Sequence, residues 1–339
     1  MGLFPLIGFT KNMNITQQTC TSLIQESGID GIYKQIERAA RTCYHSLDKI
    51  TEDSAKPFVD RLIKSQHTAM CEHSAIYLYR EVNYGDGADM GPWNDMFAKY
   101  HENPYSKVTI WDENEILKMA ITTNLRALLE NDWLEDLQYL CEPMEQHVKR
   151  YTLSCTTALH CYKDLTRHRA FSFAIESTRF CSYNKEKFNG QLTFIKPTWC
   201  SIPYGEYKWS VDDNGCPKPD GWSFATESIE GADIILMTQL GVIEYAYNTL
   251  TSEYDWKAQQ AAEVLPQCIK GDMVITGYED DWKHLLDLRF KGTTGTPHPM
   301  VKELATLMKT ELEKQGFIYE SEEDKESDVN EKNTESEGA

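Results

Sequence analysis

Thr166-Arg167-His168-Arg169-Ala170-Phe171-Ser172-Phe173-Ala174-Ile175-Glu176-Ser177-Thr178-Arg179-Phe180 is the stretch on which the reading of this chain turns. Three arginines, a histidine and two serines fall within the thirteen residues from Arg167 to Arg179. A planar guanidinium fork matches phosphate oxygens, and serine hydroxyls can complete such a shell. The plain alternative is a solvated turn paired to acidic neighbours. Ala170, Phe171, Phe173, Ala174 and Ile175 speak against it, because apolar residues interleaved with the charges would pin them to a packed core. By residue chemistry alone the segment reads as a phosphate or nucleotide site.

The rest of the chain is of opposite charge. Lys plus Arg number 34 against 53 Asp plus Glu, a formal charge of −19. Such a surface repels a phosphate backbone and argues against a general nucleic-acid binder. A length of 339 residues, 41% of them hydrophobic and 11% aromatic, describes a globular chain with a sizeable core. The segment 320–339 holds nine acids and two lysines, and predicts a disordered acidic tail whose deletion leaves activity unchanged. The most apolar stretch, 232–250, contains Asp233, Gln239 and Glu244 and is too polar for a bilayer. The N-terminus lacks a basic region followed by a long apolar one, so no signal peptide is expected. The ten cysteines are scattered without a Cys-x-x-Cys pair, which reads as free thiols in a reducing cytoplasm.

Hydrophobic periodicity predicts helices over 29–42, 53–65, 158–166, 227–250, 256–264, 280–288 and 299–314. Strands are predicted over 74–80, 107–111 and 150–157. Pro, Gly and Asn cluster in 83–103 and 203–221, which read as long loops or insertions. Strands interleaved with helices without regular alternation favour an α+β fold, a mixed or antiparallel sheet flanked by helices. The expected organisation is one catalytic domain over 1–319, with an insertion near 83–103, followed by the tail. No Rossmann glycine fingerprint, P-loop or nucleophile elbow is present. His67, Glu72 and His73 lack the spacing of a zinc site, so no metal is expected there.

Arg-His-Arg, seven residues, then Ser, which Arg167 to Ser177 fits without a gap, resembles the signature of flavin-dependent thymidylate synthases. Further matches follow in order. Ala40-Arg41-Thr42-Cys43-Tyr44 resembles an early helix end of that family, and His67 with Glu72 and His73 resembles its flavin-facing histidine segment. Leu265-Pro266, then Trp282, His284 and Leu288-Arg289, and finally His298-Pro299 with Glu303-Leu304, complete a resemblance that spans roughly 31–314.

The resemblance implies synthesis of dTMP from dUMP with FAD, NADPH and methylenetetrahydrofolate, in a homotetramer whose active sites lie between subunits. It implies that His67, Arg167, His168, Arg169 and His284 hold FAD, with Arg167 shared with the nucleotide of a neighbouring subunit. Ser177, Thr178 and Arg179 would bind dUMP, Ser177 close to the reacting base. Arg289 would stabilise the pyrimidine as its N3 ionises, so that Arg289 and Ser177 form the catalytic pair. No cysteine nucleophile is required. The departures from the family are Ala174, Ile175 and Phe180 in the motif, Asp164 before it, and Ala262 where some members carry a phosphate-binding arginine. Lys270 or a residue of the insertion is the candidate replacement for that arginine. These departures keep open a one-carbon transferase acting on another pyrimidine nucleotide, and a flavin- or nucleotide-binding homologue without turnover.

Overall fold

The computed structural model describes residues 10–84, 89–183, 190–211, 217–219 and 231–319. In chain order these residues form β1 (Thr10–Thr16), β2 (Thr19–Ser22), α1 (Gly28–Thr42), α2 (Ala55–Lys64), β3 (Ile76–Asn83), α3 (Gly91–His101), β4 (Lys107–Glu113), β5 (Ile116–Thr123) and α4 (Leu125–Glu130). There follow β6 (Arg150–Ala158), α5 (Leu159–Leu165), β7 (Ser172–Ile175), β8 (Thr193–Ile195), β9 (Gly205–Val211), β10 (Pro217–Pro219) and α6 (Gly231–Ser252). The last elements are α7 (Ala258–Ala261), β11 (Lys270–Tyr278), α8 (Glu279–Leu286) and α9 (Pro299–Lys314). The fold class is α+β, as expected.

The sheet that carries the motif has the order β2-β6-β11-β7 and is antiparallel throughout. Residues two apart on a strand share a face. Tyr151, Leu153 and Cys155 of β6 and Met273 and Ile275 of β11 therefore point together into a core completed by Leu165, Trp282, Leu286, Met300, Leu304 and Met308 from α5, α8 and α9. On the opposite face Ala174 of β7 and Val274 of β11 pack on Ala39 of α1. A second sheet, β10-β9-β1-β8, includes the parallel pair β1 and β8, and its core takes in Met237, Leu240 and Tyr247 of α6. A third, β3-β5-β4, shares a core with α1, α2 and α3.

Two expected loops are partly regular structure. Within 83–103, Gly91–His101 is α3, which starts with a proline in its first turn and buries Trp93, Met96 and Tyr100 at helical spacing. Within 203–221, β9 pairs with β1 and β10 pairs with β9. Residues 85–88, 212–216 and 220–221 and the tail 320–339 lie outside the described residues. Strands β5, β7 and β11 were not legible as period-two patterns: β11 is covered on both faces and β7 has only four residues. Among the described residues no helix is long and apolar enough to cross a membrane. The buried acids of α6 cap loop backbone instead: Asp233 accepts the Ser201 N–H at 2.9 Å and Glu244 accepts the Leu192 N–H at 2.8 Å.

One glycine sets the seat of the motif. A Cβ on Gly277 would lie 2.4 Å from the Phe171 ring, which packs edge-on against Trp282 at 4.7 Å between centroids. Gly277→Ala is expected to displace Phe171 and destabilise the fold by about 1–3 kcal/mol, the usual cost of overpacking. Urea unfolding checks this.

Candidate active site

The short edge strand β7 divides the motif. Arg167, His168 and Arg169 lie in the turn between α5 and β7, and Ser177, Thr178 and Arg179 in the turn after it. Ser172 is opposite Thr276 and Ile175 opposite Met273, so the two turns flank opposite ends of a strand about 13 Å long. The chain after β11 leaves at the Ser172 end, into α8 and the wide π-helical turn Asp287–Lys291, which Gly292 closes at φ +81°. Such turns widen the helix by one residue and recur at functional sites.

That turn brings Arg289 to the first half of the motif. Its Nε–H donates to His168 Nε2 at 3.1 Å, and Nη2 donates to the Asp164 carbonyl at 3.0 Å. Asp164 sits in the last turn of α5, where carbonyls lack helical partners and the helix dipole is negative. Arg289 thus caps another helix, not its own. The Asp164 carboxylate stays 3.9 Å from Nη1. His168 is buried, and burial, with Arg289 next and His284 after it, pushes its pKa down to about 4. It is a neutral imidazole that accepts through Nε2, so its proton sits on Nδ1. The His284 ring lies 5.9 Å from the His168 ring, and Arg167, Arg169 and His284 are exposed around it. Among the described residues neither Arg167 nor Arg169 pairs with a carboxylate.

The second half is held separately. The Ser177 N–H donates to the Cys43 carbonyl at 3.0 Å, and the N–H groups of Phe180 and Cys181 close a turn on the Ser177 carbonyl. Exposed Arg179 lies over the Phe180 ring at 5.2 Å, and its Nε donates to Gln259 Oε1 at 3.0 Å. That bond uses Nε alone, and among the described residues the two Nη groups of the fork are uncommitted. Thr178 is half-buried in the same turn. Arg289 and Ser177, read from sequence as one catalytic pair, are therefore placed at different ends of β7 within one chain.

His67 is exposed at the start of the 3-10 turn Thr68–His73, and among the described residues no bond or ring contact joins its side chain to either half. His73 is buried and meets Thr276 Oγ1 at 2.9 Å, while Glu72 pairs with Arg126. Burial pushes His73 down to about 3. Both His73 and His168 are neutral when folded but would take up protons near pH 6.5 when unfolded. Their contribution to stability is thus complete above about pH 6.5 and lost as pH falls toward about 4 and below. The urea midpoint is expected to drop across that window, and less steeply in a His168→Gln variant.

Sequence reading missed a charged cluster beside Ser177. Glu176 faces His45 and Lys270 at 3.5 and 3.7 Å, and Asp272 accepts from Lys270 at 2.5 Å and from Thr156 at 2.6 Å. Lys270 and Asp272 are two apart on β11, a same-face signal that becomes readable only once that strand is recognised. Lys270, the candidate replacement for a phosphate arginine at Ala262, is engaged with these carboxylates.

The family model described as thymidylate synthase complementing protein, Thy1, matches residues 141–315, just over half of the 339. The chain belongs to this family. The match runs from before β6 to the end of α9 and contains every motif residue, whereas the β3-β5-β4 sheet lies wholly outside it. Two solved structures are similar to this Thy1 chain. One is PolB from Streptomyces cacaoi, a UMP/dUMP methylase bound with 5-Br UMP, at 13% identity, TM-score 0.39, covering 89% of this chain and 92% of that one. The other is Thymidylate Synthase X from Helicobacter pylori with FAD and dUMP, at 10% identity, TM-score 0.34, covering 87% and 92%. No curated protein matches.

Proposed function

We propose that this Thy1 protein converts dUMP to dTMP, taking the one-carbon unit from methylenetetrahydrofolate and reducing equivalents from NADPH by way of FAD. The observation that carries the reading is Arg289, locked by His168 and the end of α5 at the arginine-rich end of β7. The residues there fit a dinucleotide. Arg167 and Arg169 are exposed guanidinia without carboxylate partners among the described residues, in a chain of net charge −19, and a diphosphate supplies the anions they lack. FAD would bring a ring able to pass a hydride, held by Arg167, His168, Arg169 and His284, with His67 reaching it from the Thr68–His73 turn.

The chain's own groups do the rest. Arg289 has two of its donors committed before substrate arrives, so its charge meets the developing anion on the pyrimidine without reorganising. Arg179, steered by Gln259, turns its free fork to the nucleotide phosphate, and Ser177 and Thr178 line the same nucleotide. Gln259 thereby takes over at α7 part of what an arginine at Ala262 would do. Arg289 and Ser177 lie at opposite ends of β7, and a site that takes each from a different copy of the chain would bring them together. A homo-oligomer with shared sites, a homotetramer by family likeness, provides that arrangement. No thiol has to act: burial pushes Cys161 up to about 11 and Cys155 well above its ordinary range, which leaves both poor nucleophiles.

The test is anaerobic incubation with FAD, NADPH, methylenetetrahydrofolate and dUMP, with UMP in a parallel reaction, followed by mass spectrometry of the nucleotide. dUMP heavier by one methylene is the expected product. Methylation of UMP alone would move the substrate to the ribonucleotide. Two unchanged nucleotides beside firmly bound flavin would leave a binding protein without turnover.

A further inference from the structure

The Ser177 turn rests on a half-buried charged cluster drawn from three parts of the chain. The Glu176 side chain is 0% exposed. Its Oε1 accepts from the Tyr183 hydroxyl at 3.1 Å, whereas buried Oε2 has no hydrogen bond among the described residues and faces His45 Nδ1 at 3.5 Å and Lys270 Nζ at 3.7 Å. His45 Nδ1 also lies 3.6 Å from Asp272, opposite Glu176 in the sheet, where the Glu176 N–H donates to the Asp272 carbonyl at 2.8 Å. His45, Glu176 and Asp272 present three ligand atoms within 4.8 Å of one another. A metal centre is nonetheless the weaker reading, because the Lys270 ammonium already stands against both carboxylates. The cluster balances two anions with two cations of its own.

Its placement gives it a use. Residues Cys43, Tyr44 and His45 touch the turn at three successive points: the Cys43 carbonyl takes the Ser177 N–H, the Tyr44 ring meets Phe180 at 5.6 Å, and His45 faces Glu176. Glu176 is buried and adjacent to Ser177, so whatever fixes Glu176 fixes the Ser177 backbone. His45 is about one-third exposed, at the edge of a cleft of about 460 Å³ that Thr42, Asp48, Thr156 and Asp272 also line.

We propose that His45 is a positioning residue for the nucleotide: as a cation it ties Glu176 to the segment after α1 and so holds the Ser177–Arg179 turn in its binding shape. This rests on the reading of that turn as the nucleotide site. Among the described residues, the charged groups facing His45 are Glu176 after β7 and Asp272 and Lys270 on β11, and Asp48 lines the same cleft. Asp272, then Glu176, raise His45 to about 9. The tie is therefore complete at neutral pH and lost as pH rises through about 9.

The experiment compares the FAD-loaded wild type with His45→Gln, a partly exposed site where the fold should tolerate the change. dUMP binding is followed by calorimetry from pH 7 to 10. The variant is expected to bind about tenfold more weakly at pH 7, as for loss of one charge-assisted contact, with the gap closing above pH 9. Equal affinity at pH 7, or a gap constant with pH, overturns the proposal. If the wild type binds no dUMP, the nucleotide reading fails by itself. Amide exchange on the ligand-free proteins then decides the tie: protection of the Ser177 and Cys181 amides should fall in the variant, and unchanged protection overturns it.

Discussion

Replacing Arg289 by Ala is expected to lower dTMP formation by a factor of about 10²–10³, the usual loss on removing one preorganised donor to a developing anion. The size follows from how the guanidinium is held. Two of its donors are spent on His168 and the Asp164 carbonyl, so no side-chain ordering remains to be done when the pyrimidine arrives. Arg289→Lys should recover little, because an ammonium lacks the fork that reaches both partners at once. Bound flavin should largely remain, since Arg167 and Arg169 are untouched. The His168 pKa should move up from about 4, because Arg289 is the second cause of its depression after burial. Single-turnover product measurement and an NMR titration of the histidines check the two statements. Activity within a few-fold of wild type would remove Arg289 from the chemistry.

The second large effect is a gain. Arg289→Ala and Arg179→Ala are each expected to be nearly inactive alone, yet a mixture allowed to exchange subunits should recover about a quarter of wild-type activity. Arg289 and Arg179 belong to turns at opposite ends of β7. If each site takes one group from each of two copies, random pairing gives about one site in four with both arginines intact, as for a symmetric assembly. Native mass spectrometry establishes that mixed oligomers form, and the dTMP assay reads the recovery. Mixed oligomers that stay inactive would mean that one chain carries the whole site.

Much of this protein was readable from the order of its residues. Helical periodicity located α1, α2, α5, α6, α8 and α9 within a few residues, because a helix facing a core must repeat its apolar positions every three or four residues. The arginine motif stood out because an acidic chain has few other reasons to gather guanidinia among apolar residues. The strand β11 was hidden by its central place in the sheet, where both faces are covered and alternation disappears. Helix α3 was hidden by the turn-forming residues just before it.

Residue chemistry and local spacing depend on neighbours in the chain, and these the sequence determined unaided: the family signature, the acidic balance, most of the helices and the candidates for anion binding. Only the tertiary structure decided which of those residues meet. It set Arg289 against His168, 121 residues away, and parted it from Ser177 by the length of β7. It also gathered His45, Glu176, Lys270 and Asp272 into one charged cluster. The physical reason is the register of β7 on β11: pairing between distant strands chooses contacts that no local pattern encodes.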